Sequence, residues 1–182
     1  MVKKINKAFL AVAILSGAMV PKVSDAQTTD IYPVPQSIQW SEQVAFSNDV
    51  SYTITGENTA DADAVNLFKE NFSTDGSAVE VIIGERGDEA VAAYESLIPQ
   101  KDEGYYLAVE NGKVVIAGND GSGTFYGVQT FIQIASQPSI MGVTVTDYPS
   151  VPQRGLVEGY YGNPYSETDR MGLFKMFGRQ KM

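Results

Sequence analysis

The sequence contains no cysteine and no histidine. Without cysteine there are no disulfide staples, so the fold must rest on its core alone. Lipid attachment through an N-terminal cysteine is excluded for the same reason. Without histidine, Ser-His and Cys-His nucleophile systems are excluded. Metal binding is left with hard-cation oxygen sites only. Basic residues are few: 13 Lys and Arg stand against 22 Asp and Glu, a formal net charge of −9. A surface of that sign repels phosphate backbones, so nucleic acid is not an expected partner. Low-complexity tracts and solenoid-period repeats are also missing. The 182 residues, 43% of them hydrophobic, suit one ordinary domain and the start of a second.

One apolar run is present, at the N-terminus. Lys3, Lys4 and Lys7 precede Ala8 to Val20, which only Ser16 and Gly17 interrupt. Ser24-Asp25-Ala26 then sets small residues at the two positions a signal peptidase reads. The run is short for a membrane helix, which needs about 20 residues. Residues 1–26 are therefore expected to be a cleaved signal peptide, with an uncleaved anchor as the alternative. The mature chain is then periplasmic or secreted and has no membrane span. Cleavage removes four lysines and Asp25, leaving −12 over 156 residues.

Beyond Tyr32-Pro33-Val34-Pro35-Gln36, Ile38, Trp40, Val44 and Phe46 begin a strand-like stretch. Val50 to Thr55 alternates and is rich in β-branched residues, which predicts a strand. Ala62 to Phe72 places Val65, Phe68 and Phe72 at helical spacing, with Gly76 beyond as its terminator. Val79 to Ile83 predicts a strand with Val79, Val81 and Ile83 on one face, closed by Gly84. Glu89 to Ile98 predicts a second helix, with Asp88 as N-cap and Pro99 as stop. Asn111-Gly112 between Tyr105–Val109 and Lys113–Ala117 is a strong hairpin signal, both turn residues accepting positive φ. Asn119 to Gly123 superficially resembles a calcium or phosphate loop. It lacks the rest of either motif and reads as a turn with Ser122 near a helix N-cap. Thr124 to Ala135 predicts a third helix, its buried stripe Phe125, Val128, Ile132 and Ala135 widened by Phe131 and Ile134. Val143 to Thr146 predicts a short strand. Interleaved strands and helices with an antiparallel pair give an α+β fold, a mixed sheet with helices packed on it, over residues 27–149. Its carboxylates are scattered, and no catalytic constellation or cofactor motif is complete.

After Pro152 the character changes. Gly155 to Gly159 predicts a short buried strand, Tyr160 to Tyr165 an aromatic, Gly-rich loop, and Ser166 to Asp169 a capping box. Met171, Phe174 and Phe177 continue as a helix face. A lone βα unit cannot bury its strand on both faces, so residues 150–182 read as the opening of an interrupted domain. The alternative is that the unit packs onto the preceding sheet as its last strand and helix. Glu158 reads as structural, a partner for Arg154.

These segments carry a resemblance. Tyr32 to Gln36, Glu103 to Leu107, Ile116 to Gly118 and Gly123 to Thr130 resemble landmarks of the N-terminal domain that precedes the barrel in bacterial β-N-acetylhexosaminidases. Arg154-Gly155-Leu156-Val157-Glu158-Gly159-Tyr160-Tyr161-Gly162 is similar to the first barrel strand of glycoside hydrolase family 84. Family 20 shares the N-terminal domain but typically has an Asp-containing first strand. The resemblance implies that residues 150–182 start a catalytic (β/α)8 barrel. It implies a secreted enzyme acting on an N-acetylhexosamine-containing glycan or glycoprotein, without cofactor or metal. It also implies a substrate-assisted mechanism, in which the sugar's acetamido oxygen forms an oxazoline and two adjacent Asp residues do the proton work. Those Asp residues lie downstream in the family, so no catalytic residue is expected in this chain. For substrate binding it implies Gly159, through its carbonyl, and Tyr161 at the pocket rim, with one of Tyr160 and Tyr161 in the core. A glycine needed only for backbone geometry is the other reading of Gly159. A non-catalytic carbohydrate-binding or scaffold module is the alternative function.

Overall fold

The computed structural model describes residues 30–75, 78–159 and 161–182. The signal segment, Gly76 and Tyr160 lie outside the described residues. Six strands form one sheet: β1 (Ser37–Ser47), β2 (Tyr52–Thr55), β3 (Val79–Glu85), β4 (Tyr105–Glu110), β5 (Lys113–Gly118) and β6 (Ser139–Asp147). Their spatial order is β1-β6-β4-β5-β3-β2. The β2/β3 and β3/β5 pairs are parallel, while β4/β5, β4/β6 and β1/β6 are antiparallel. The helices are α1 (Ala62–Asn71), α2 (Gly121–Ile134) and α3 (Glu167–Arg179). The expected α+β class, a mixed sheet with helices packed on it, is what forms.

The period-2 alternation of β3 decides the layering. Val79, Val81 and Ile83 face the main core with Tyr52, Phe68, Val128 and Phe131. Ile82 faces the opposite side, in a smaller cluster with Val91, Ile98 and Val115. The predicted edge of β3 moves, because the strand runs through Gly84 to Glu85. The predicted β6 lengthens to Ser139–Asp147, since pairing with both β1 and β4 gives its backbone groups partners on two sides.

Four local expectations change. First, the strand-like stretch from Ile38 to Phe46 forms β1 but is not regular. Register shifts in β1 between Trp40 and Phe46 leave Val44 half exposed and turn Ala45 inward, as a bulge does by adding residues on one strand. Second, Glu89–Leu97 is a 3-10 segment, not an α-helix. The Asp88 carboxylate is taken by the Glu85 backbone N–H at 2.8 Å, and Arg86 draws the carbonyls of Glu95 and Ile98 to its guanidinium. Third, only Gly112 of the hairpin turn has positive φ, at 73°; Asn111 stays on the negative side. Fourth, the buried stripe of α2 is rotated. Thr124, Val128, Phe131 and Ile134 are fully buried, while Phe125 and Ile132 are half-buried. Gly127 causes this: a Cβ there would lie 2.7 Å from Ile116 Cγ2, so its bare Cα draws that side of the helix onto β5.

The N-cap of α2 is Asp120, two residues before Ser122. The Asp120 carboxylate accepts the Gly123 backbone N–H at 2.8 Å and the Glu103 backbone N–H at 2.8 Å. Asn119 and Asp120 form the expected turn, and Gly121 to Gly123 are already the first turn of the helix.

Tyr52 sits at the centre of an aromatic cluster with Phe46, Phe68, Phe72 and Phe131, ring centroids 5.4–6.2 Å away. It is 1% exposed, and its hydroxyl has no hydrogen-bond partner among the described residues. Burial pushes the phenol from 10.0 up to about 12. Because the folded value lies above the ordinary one, the unfolded chain loses this proton first. Stability is therefore intact below pH 10 and falls as pH rises toward 12. Tyr52→Phe removes a stranded polar atom without changing shape. It is expected to hold or raise the thermal midpoint at neutral pH and to flatten the alkaline loss. A clear drop in midpoint at neutral pH would contradict this account.

Candidate functional site

Residues 150–182 contribute no strand to the sheet. Gly155 to Gly159 does not form the predicted strand, because its backbone pairs with no sheet edge and Leu156 and Val157 are exposed. The tail-as-last-strand alternative is therefore not what the structure shows. The capping box does form: the Asp169 backbone N–H donates to Ser166 Oγ at 3.2 Å, and the Ser166 N–H donates to Asp169 Oδ2 at 3.2 Å. α3 then carries Met171 and Phe174 outward, 54% and 63% exposed. Its far end closes on α2, with Gly178 beside Phe125 and Gln129.

The two residues singled out for substrate are neighbours in sequence, and both are exposed. A Cβ on Gly159 would lie 3.3 Å from Tyr161 Cδ2. Tyr161 is fully exposed, with Tyr165 also on the surface. Gly159 is likewise exposed. Glu158 does not pair with Arg154; its Oε1 lies 3.3 Å from the Arg170 guanidinium. Of the nearby carboxylates, Asp169 caps α3 and Glu158 is ion-paired. Neither is free to move protons at Tyr161.

A second cluster was not legible in advance. At the end of β6, Asp147 Oδ2 accepts from Lys181 Nζ at 2.8 Å and from the Tyr105 hydroxyl at 3.2 Å. Lys181 Nζ also donates to the Tyr105 oxygen at 2.9 Å. Tyr105 and Thr130 share a hydrogen bond of 2.6 Å. Burial lowers the Lys181 pKa, with Asp147 opposing it. Burial, then the Asp147 charge, pushes the Tyr105 phenol well up. Beside this cluster Arg154 pairs with Glu103, and its guanidinium lies 5.9 Å from the centre of the Tyr126 ring. A cavity of about 230 Å³ opens between these groups and Tyr148. Asp147 and Lys181 are 34 residues apart, and no sequence period links them.

Among the described residues no group of three or more Asp or Glu could hold a metal. No helix among them is long and apolar enough to cross a membrane.

With the geometry in place, the comparisons decide the family. The model of glycosyl hydrolase family 20, domain 2, matches residues 28–148. The chain belongs to that family. The family 20 domain accounts for the whole sheet and for α1 and α2, and makes this a hexosaminidase-like N-terminal domain. A beta-hexosaminidase of Porphyromonas gingivalis is 28% identical over 93 residues, covering 44% of this chain and 12% of the relative. The solved structure of CpGH84B matches with a TM-score of 0.70 and 31% identity, over 85% of this chain and 29% of that one. A GH20 exo beta-N-acetylglucosaminidase from Vibrio harveyi matches with a TM-score of 0.62 and 15% identity, over 87% of this chain and 26% of that one. The last likeness is of fold alone. The chain thus spans less than a third of the length of each of these relatives.

If the Gly159–Tyr161 surface lies open and Glu158 is a structural ion pair, two variants should differ in circular-dichroism melts. Tyr161→Ala is expected to leave the midpoint unchanged, because its ring buries nothing. Glu158→Gln is expected to lower it, because Arg170 loses its carboxylate. The reverse order would contradict the placement of these side chains.

Proposed function

We propose that this chain is the N-terminal part of a secreted or periplasmic glycoside hydrolase of the family 84 type, one that releases terminal N-acetylglucosamine-type sugars. In this reading residues 27–149 support the enzyme and residues 150–182 open its catalytic (β/α)8 barrel. The observation that carries the reading is the exposure of Gly159 close to the fully exposed ring of Tyr161, to which a Cβ on Gly159 would come within 3.3 Å. It offers a sugar an exposed stretch of backbone and an aromatic ring beside it. The run Val157 to Gly162 and the 31% identity with CpGH84B support the family 84 type.

The chemistry follows from what an acetamido sugar can do for itself. Its carbonyl oxygen attacks the anomeric carbon, the bond to the leaving oxygen breaks, and an oxazoline forms. One carboxylate must orient and polarise the acetamido N–H, while a second carboxyl protonates the departing oxygen. Two adjacent Asp residues at a strand end serve both roles, and their proximity favours keeping one protonated. Since relatives are more than three times as long as the match, we place that pair in sequence outside these 182 residues. Water then opens the oxazoline with retention.

The test uses 4-nitrophenyl N-acetyl-β-glucosaminide and two proteins. The 182-residue chain is expected to give no turnover above buffer. The longer protein that contains it is expected to turn over, and to lose most activity when either adjacent Asp becomes Asn. Turnover by the 182-residue chain, or an active longer protein with no Asp pair, would overturn the reading. Mass spectrometry of protein from the native host should place the mature N-terminus at or near Gln27; intact Met1 would contradict export with cleavage.

A further inference from the structure

Arg154 and Lys181 lie 27 residues apart, at the two ends of an excursion that otherwise presents much of its surface to solvent. Both cations turn back to the sheet domain. Arg154 pairs through Nη2 with the Glu103 carboxylate and donates through Nη1 to the Val151 carbonyl at 2.9 Å. Lys181, 6% exposed, reaches Asp147 and Tyr105. The two ends also hold each other, since Arg154 Nε donates to the Lys181 carbonyl at 2.7 Å. The contacts therefore close a ring: Glu103, Arg154, Lys181, Asp147, Tyr105, and back along the chain to Glu103.

The backbone gives an independent sign. Among the described residues only two non-glycine residues have positive φ, Glu103 at 60° and Lys181 at 55°. Such conformations are uncommon for long side chains and persist where surrounding contacts over-determine them. Both fall in this ring, one on each side of the junction.

We propose that Arg154 and Lys181 form a two-point clamp that fixes the segment carrying Gly159 and Tyr161, and α3 behind it, in one position against the sheet domain. The two cations are positioning residues. They set where the exposed aromatic surface stands relative to Glu103 and Asp147. The arrangement is bistable in the sense that a buried cation is either paired with its carboxylate or withdrawn into water, with a desolvation penalty against intermediate positions. The clamp does not depend on which sugar, if any, the surface binds.

Amide hydrogen exchange on the 182-residue chain tests this. Lys181→Met and Arg154→Met are each expected to speed exchange across residues 167–179 at least tenfold, leaving residues 79–85 of β3 within twofold of wild type. Arg154→Lys, which keeps the charge but loses the fork, is expected to fall between Arg154→Met and wild type. Unchanged exchange of α3 in both methionine variants would overturn the clamp. So would an equal acceleration in β3 and α3, because the cations would then serve the core as a whole. Activity plays no part in the readout, so the outcome is separate from that of the glycosidase assay.

Discussion

One carboxylate holds the structure's far ends together. Asp147 closes β6 and is 7% exposed. Its Oδ1 accepts the backbone N–H of Gln36 at 3.1 Å and that of Tyr148 at 2.9 Å. Its Oδ2 accepts from Lys181 and Tyr105. A buried carboxylate without such donors would carry a large desolvation cost. The chain that leads into β1, the start of β4, the exit from β6 and the end of α3 must therefore converge for Asp147 to be buried at all. The edge strand β1, the central strand β4 and the tail are registered on one atom pair.

That constraint explains a division of labour across the fold. The core itself is apolar and aromatic, built on Tyr52, Phe68 and Phe131 against β3 and β5. It would hold the sheet without any charge. Replacing a buried ion pair by apolar groups is often neutral or stabilising, whereas removing one partner costs roughly 3–5 kcal/mol. The role of Asp147 is accordingly geometric, a choice of one arrangement of strands and tail. Family membership supplies the fold, and function has to be argued from the site. The proposed site is the exposed surface of Gly159 and Tyr161, on the tail that ends at the Asp147–Lys181 pair.

The sheet was legible because its strands alternate and are bounded by turn residues. Val79, Val81 and Ile83 announced one face, and Asn111-Gly112 announced the hairpin. The capping box at Ser166 was equally plain. What escaped was tertiary. The rotation of α2 depends on how closely Gly127 approaches Ile116, and a periodicity cannot see that. Glu89–Leu97 has the composition of an α-helix, but Arg86 and Asp88 claim the groups that would cap it. Gly155–Gly159 reads as a strand, yet a strand needs a partner and none is present among the described residues. The Asp147–Lys181 pair joins positions that no local pattern relates, so neither residue drew notice. Gly159 and Tyr161 drew notice only through a family resemblance, and the structure adds that both are exposed.

The claim that Asp147 and Lys181 act as one unit is tested most directly by a double-mutant cycle on stability. Urea unfolding of the wild-type chain, Asp147→Asn, Lys181→Met and the double variant supplies the four free energies. The account predicts that each single variant is clearly destabilised and that the double variant recovers part of the loss, with a coupling energy of at least about 1 kcal/mol. Additivity within about 0.5 kcal/mol would show that the two groups act independently and would contradict the account.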